Sequence, residues 1–181
     1  MNSKNITRRV VTISIIISLS VIFSYFDNLI SNGIFSSLRV VIPSFKIGLA
    51  NIAIILFVYK FKFSEGIISV FLKSVLVALL FTGPTGFMIG FPGTILSFVV
   101  MKLLIKVLNE EKYMPFVSAL GGISHSLGQI ISAFAIYGIT RIEAFIVYAP
   151  LIFLVSIVSG ILVGIVGKKT IKLIDNFQLI S

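Results

Sequence analysis

Apolar residues occupy this chain in long blocks separated by short polar punctuation, and most blocks approach the roughly 20 residues that a helix needs to cross a ~30 Å hydrocarbon layer. The pattern predicts six spans, at about 10–26, 43–59, 64–81, 87–105, 115–137 and 143–166. The first ends near Asp27 and Asn28. The second is short unless the chain enters the membrane near Val40 and carries Lys46 with it. The third closes on Thr82-Gly83-Pro84-Thr85-Gly86, a run of strong helix breakers. The fold expected is an all-α membrane protein, a bundle of six transmembrane helices forming a single domain over residues 1–181.

Composition sharpens this picture. The 181 residues are 57% hydrophobic and 12% charged, with a mean hydropathy of +1.15, too apolar for a domain that must cover its own surface with polar groups. Six crossings use nearly all of the length. The first block has a basic start at Lys4, Arg8 and Arg9 but no small-residue cleavage site, so it reads as a retained helix.

A net charge of +9 would suggest nucleic acid in a soluble protein. Here the basic residues sit at the ends of apolar blocks and read as topology signals, and nucleic acid is not an expected partner. Lys4, Arg8 and Arg9, then Lys60 and Lys62, then Lys106 and Lys112, and finally Lys168, Lys169 and Lys172 fall on one side of a six-span topology. The alternate connections carry only Arg39 and Arg141. The positive-inside rule then puts both termini in the cytoplasm and the chain in the cell membrane as a multi-pass protein.

Candidate chemistry is sparse. There is no cysteine and only one histidine, so neither a disulfide nor a transition-metal site is expected, and no cofactor is implied. Glycine and lysine in Gly164-Ile165-Val166-Gly167-Lys168-Lys169-Thr170 superficially imitate a phosphate loop, but the spacing is wrong. No paired aspartates are available to hold magnesium against a diphosphate, which argues against a prenyl transferase and against catalysis generally.

What remains is a set of polar residues inside apolar spans. An ammonium at the centre of a bilayer costs about 2.5–3.5 kcal/mol on insertion scales, so Lys46 and Lys73 call for a reason. Lys46 can snorkel to an interface or face the bundle interior. Lys73 lies mid-span, and all six acids of the chain, Asp27, Glu65, Glu110, Glu111, Glu143 and Asp175, fall at predicted span ends or in loops. A buried cation without a carboxylate nearby favours an anionic guest, and Arg39 and Arg141 on the outer side would draw such an anion in. Ser118, Gly122, His125, Gln129 and Ser132 are spaced four, three, four and three, one stripe of a helix. His125 reads either as a hydrogen-bonded packing group or, with Gln129 a turn away, as part of a polar solute site. Ser156, Gly160 and Gly164 form a close-packing face on the last span.

The blocks Pro43-Ser44-Phe45-Lys46-Ile47-Gly48-Leu49-Ala50-Asn51 and Ser124-His125-Ser126-Leu127-Gly128-Gln129, with Thr82-Gly83-Pro84 between them, resemble the signature blocks of the Gx transporter family, also known as heptaprenyl diphosphate synthase component I. That family is similar in turn to the substrate-binding S components of energy-coupling factor (ECF) importers. The resemblance runs from about Val40 to Gly167. Ser126 stands where the pattern has asparagine, and Lys73 where it has arginine. The resemblance implies an S-component bundle that takes a small, vitamin- or precursor-like solute near its outer face, and a partnership with an ECF scaffold transmembrane subunit and cytoplasmic ATPases. It implies solute-binding roles for Arg39, Lys46, Asn51, Lys73, His125 and Gln129. It also implies a docking face for the scaffold built on small residues of the first helix, here Ser14 and Ser18. The alternative is a membrane subunit of isoprenoid (heptaprenyl) diphosphate biosynthesis.

Overall fold

Why the apolar blocks end where they do is set by a few local contacts. The computed structural model describes residues 3–37, 48, 51–108, 110–138 and 142–176, and among these the regular structure is entirely helical. The helices are α1 (Ser3–Ser37), α2 (Asn51–Lys60), α3 (Phe63–Val77), α4 (Gly83–Leu104), α5 (Met114–Tyr137) and α6 (Ile142–Asn176). Four stretches are long and apolar enough to cross a bilayer: Ile6–Gly33, Phe63–Leu104, Glu111–Tyr137 and Ala149–Asn176. With α2, apolar but only ten residues long, they make this an all-α membrane protein.

The stretch Phe63–Leu104 is folded back on itself. Val77 leads into a short π-helical segment, Ala78–Thr82, and Gly83 then reverses the chain at φ +64°. Only glycine adopts that conformation without strain. Pro84 follows in the first turn of α4, where its missing N–H costs nothing and its fixed φ favours the helix. The reversal lays α4 antiparallel to α3, with Gly66 seated directly on the Phe98 ring.

Three expected boundaries change. α4 begins at Gly83, not near 87, because the breakers at Gly83 and Pro84 both turn the chain and start the next helix. α6 continues ten residues past 166 to Asn176, carrying Lys168, Lys169 and Lys172 on its exposed end. Most consequentially, α1 does not stop at Asp27. It runs ten residues further, to Ser37, because Ser20, Ser24, Asp27 and Ser31 recur at steps of four, three and four and all point into the bundle. A polar residue on the inward stripe of a helix is no terminator when its own helix or a neighbour gives it partners. Ser20 and Ser24 donate their hydroxyls to the carbonyls of Ile17 and Ser20, each at 2.8 Å. Pro43 and Lys46, with the rest of 38–47, lie outside the described residues, as does the expected entry of the second span near Val40.

Small residues set the helix crossings. Within a membrane, helices associate by close packing and polar contacts, since lipid is as apolar as leucine. A β-carbon on Gly122 would come within 2.6 Å of the Ser156 carbonyl oxygen, and one on Gly160 within 2.7 Å of the Ala119 Cα. Gly164 closes the ladder against Pro115. The expected packing face of the last span is therefore the α5–α6 seam, reinforced by a hydroxyl contact between Ser126 and Ser156. α4 and α5 cross at Gly93 and Gly128, where a β-carbon on Gly128 would lie 2.6 Å from the Gly93 Cα.

At one end of the bundle, charges tie the helices together. Arg9 of α1 donates through Nε and Nη2 to both oxygens of Glu65 at 2.8 Å, and Glu65 also accepts the Lys62 N–H. Lys60 pairs with Asp175 at 2.6 Å. Lys102 donates to the carbonyls of Val58 and Phe61 at 2.6 and 2.8 Å, capping the exit of α2. The starts of α1 and α3 and the ends of α2, α4 and α6 thus meet at this end, above an apolar core of Ile54, Phe57, Val58, Phe98 and Met101. Glu65→Ala removes a bidentate pair and a helix-start acceptor together. It is expected to cost about 1 kcal/mol, read as a lower unfolding midpoint in detergent by circular dichroism, with Lys112→Ala at an exposed pair giving no measurable change.

Candidate functional site

Five helices and the turn after α3 contribute to one polar cavity. α1 supplies Asp27, and Gly48 stands across from it. α2 presents Asn51, its first residue; α3 presents Lys73 and Ser74, and the turn presents Thr82. Gly90 and Thr94 line it from α4, and His125 from α5. All of this lies among helices whose outward faces are leucine, isoleucine, valine and phenylalanine.

The charged groups are deeply enclosed. Asp27 is 0% exposed and Lys73 6% exposed. Asp27 is held by the backbone: the Gly48 N–H donates to both carboxylate oxygens, at 3.1 and 2.9 Å, and Gly48 itself sits at φ +104°. A side chain at Gly48 would be strained by that φ and would also meet the Asn51 amide. Position 48 is therefore glycine for two reasons, and its N–H is aimed at a carboxylate.

This overturns one expectation. The acids were all expected at span ends or in loops, leaving Lys73 without a carboxylate inside the bundle. The extension of α1 instead buries Asp27 within a membrane-spanning helix and puts it on the wall of the same cavity as Lys73. Two opposite charges thus line one low-dielectric chamber.

Hydroxyl and amide groups complete the wall. Ser74 donates its proton to the Val70 carbonyl and Thr94 to the Gly90 carbonyl, each at 2.8 Å. Each turns lone pairs, and no proton, toward the cavity. Asn51 Oδ1 and Thr82 Oγ1 are buried with no hydrogen-bond partner. Packed this way the cavity measures about 20 Å³, room for about one water.

Of the six residues expected at a solute site, Asn51, Lys73 and His125 are brought together here. Gln129 is not on the wall. It lies one turn further along α5, fully buried against Gly93, with both amide atoms lacking a hydrogen-bond partner. Arg39 and Lys46 lie outside the described residues, as does Arg141. Ser14 and Ser18 are on the exposed side of α1 beside Val11, Ile15 and Ile22, with their hydroxyls folded back onto the carbonyls of Val10 and Ser14. Asp27, Ser74, Thr82 and Thr94 were missed. For Asp27 the signal was present, as its step of three from Ser24 and four to Ser31 marks an inward position.

Beside the cavity lies a second, open recess of about 420 Å³ between α1 and the π-helical segment after α3, lined by Tyr25, Asn28, Asn32 and Phe81 and sharing Thr82 with the cavity.

A family model described as heptaprenyl diphosphate synthase component I matches residues 16–170. No curated protein and no solved structure matches the chain.

Proposed function

This chain belongs to the family described as heptaprenyl diphosphate synthase component I, and from that premise we propose that it is the membrane-embedded substrate-binding component of an ECF-type importer in the cytoplasmic membrane, with no catalysis of its own. The observation that carries this reading is the charged cavity itself. A carboxylate and an ammonium are kept inside an apolar bundle, with amide and hydroxyl groups around them, at a cost that packing alone does not justify. Intramembrane ionisable groups mark solute or ion pathways by default.

In this reading the chain makes six crossings, with α2 and the residues before it forming the second and α3 and α4 forming two. Both termini are cytoplasmic. The shared end that joins the start of α1 to the end of α6 is consistent with an even number. The solute is small and vitamin- or precursor-like, and an acidic group on it is held by Lys73. Asn51 and His125 contact it from α2 and α5, Arg39 and Lys46 complete its binding, and Gln129 supports His125 from the next turn of α5. A cavity of about 20 Å³ is far below the 300–1,000 Å³ of a usual small-molecule site, so loading requires the surrounding helices to part. Ser14 and Ser18, on an exposed apolar face, supply a close-approach surface for the scaffold subunit, which with its ATPases energises transport.

Native mass spectrometry of protein purified gently from its own membranes tests this. The expected spectrum contains a one-to-one complex that releases a small solute on activation. Bare protein in every preparation would remove the basis for the importer.

The family description itself supports a second reading, a membrane subunit of isoprenoid diphosphate biosynthesis. It predicts magnesium-dependent elongation of an allylic diphosphate by isopentenyl diphosphate, or a stable complex with a soluble synthase. The chain's two aspartates, Asp27 and Asp175, sit on different helices, the former within the bundle and the latter at the charged end. Neither belongs to an aspartate-rich cluster of the kind that holds a magnesium diphosphate.

A further inference from the structure

We infer that the bulk of the solute seats in the open recess beside the cavity, and that this part is an uncharged aromatic ring with hydrogen-bond acceptors at its edge, while a smaller polar group reaches past Thr82 into the cavity. This rests on the importer reading and specifies the chemistry and placement of its cargo.

Size and position point to the recess first. The cavity holds about 20 Å³ and the recess about 420 Å³, and only the second falls in the ~300–1,000 Å³ range of ordinary small-molecule sites. Thr82 is on the wall of both. It ends the π-helical segment Ala78–Thr82, a helix type found mostly as single-turn insertions at functional sites, and it fits there because Gly86, against which it packs, has no side chain. The parting that loading requires is then confined to the wall at Thr82. Along α1, Tyr25, Asn28 and Asn32 recur at steps of three and four, a stripe adjoining the inward one of Ser24, Asp27 and Ser31. Tyr25 and Asn32 stand about 24 and 35 Å from Arg9 at 1.5 Å per residue, so the recess lies at the membrane face opposite the charged end. On the importer reading that is the face from which the solute arrives.

The lining then fixes the chemistry. Among the described residues, no lysine, arginine, aspartate or glutamate lines the recess, so a charged group there would find no countercharge. Tyr25 and Phe81 face each other at 5.3 Å with their planes tilted by 46°, neither stacked nor edge-to-face. They are 44% and 43% exposed, which leaves both rings with surface for a third to pack on. Asn28 Nδ2, a donor, and Thr82 Oγ1 are buried with no hydrogen-bond partner, and an unpaired group of this kind costs about 1–3 kcal/mol. Asn32, a turn further along α1, adds a second amide. A lipid tail supplies partners to none of these groups. A flat ring with acceptor atoms at its edge satisfies the aromatic pair and the orphaned donor together.

The experiment uses the full-length protein, which has no natural cysteine. In Asn32→Cys the new thiol stands at the exposed edge of the recess. Part of the purified population is labelled with an uncharged maleimide, and the mixture is examined by native mass spectrometry. Label and solute should exclude one another, so that molecules carrying maleimide are empty and those carrying solute are unlabelled. Solute carried equally by both would overturn the recess as the seat while leaving the importer reading in place, whereas an empty wild-type protein would sink both. An unlabelled Asn32→Cys chain that is already empty beside a loaded wild type puts Asn32 itself in the seat.

The ultraviolet spectrum of the solute released from the wild-type chain reads its chemical class. Aromatic absorption bands are expected, and a released molecule without them, a lipid included, would overturn the assignment of a ring. Asn28→Leu keeps the size of the side chain and removes the buried donor. Its solute occupancy should fall about tenfold, the loss expected for one hydrogen bond to a buried group, at an unchanged elution volume in size exclusion. Full occupancy in Asn28→Leu counts against the amide as the partner of the ring. Should that variant fail to fold, Phe81→Leu reads the same seat from the opposite wall, with the same loss expected and full occupancy equally damaging.

Discussion

Gly160→Leu should leave little folded protein, with a loss of more than about 3 kcal/mol in unfolding free energy. The first atom of a side chain at this position already falls 2.7 Å from the Ala119 Cα and 2.8 Å from the Ser118 carbonyl oxygen. Both are backbone atoms in the middle of a helix, so neither can swing aside as a rotamer would. α5 and α6 must separate, and separation opens the whole ladder formed with Gly122 against Ser156 and Gly164 against Pro115. Tertiary stability in a membrane comes from such close packing, with little hydrophobic drive to replace it. Gly33→Ala is the matched control. Its added methyl meets nothing within 4 Å on α1, so the change should be neutral or stabilising by up to about 1 kcal/mol. Unfolding in mixed micelles followed by circular dichroism reads both. Equal stability of the two variants would show that the seam is not what holds α5 to α6.

Lys73→Met should cost about 3–5 kcal/mol, the usual penalty for leaving one buried charge after its countercharge is removed. Methionine keeps most of the length and apolar surface of the stem, so the loss is electrostatic. What remains is a carboxylate, Asp27, sealed in the wall of the same cavity. The double variant Lys73→Met/Asp27→Asn removes both charges and should recover most of the stability of the wild type. Solute retention should be lost in the single and in the double alike, because charge balance restores the fold without restoring the seat. A double variant no more stable than Lys73→Met would mean that the two residues do not act as a charge pair. Retained solute in the double variant would remove Lys73 and Asp27 from the site.

The division between what could and could not be read beforehand follows from the kind of information each feature needs. The α5–α6 seam was legible because its signal is local: serine and glycine at four-residue steps on one helix meet a polar stripe on another, and small residues have few other uses within a membrane. The reversal at Gly83-Pro84 was legible for the same reason. Asp27 was not, although its spacing from Ser24 and Ser31 was in view. An aspartate followed by asparagine looks like the end of an apolar block when helices are bounded by hydropathy, and only the packing of α1 against its neighbours makes that position interior. The cavity needs five helices to converge, and nothing along the chain states that His125 and Lys73 share a wall while Gln129, one turn from His125, does not. That distinction arises from the crossing at Gly93, which places the Gln129 side chain against the α4 backbone.

α2 is ten residues long, about 15 Å at 1.5 Å per residue. Its last residue, Lys60, is paired at the charged end of the bundle, and its first, Asn51, is on the cavity wall. The chamber therefore sits about halfway through a ~30 Å hydrocarbon layer. Beneath it Ile54, Ile55, Phe57, Val58 and Phe61 form an apolar plug. On the importer reading, a solute that reaches Asp27 and Lys73 has crossed half the barrier, and its delivery to the far side requires that plug to be dismantled or tilted.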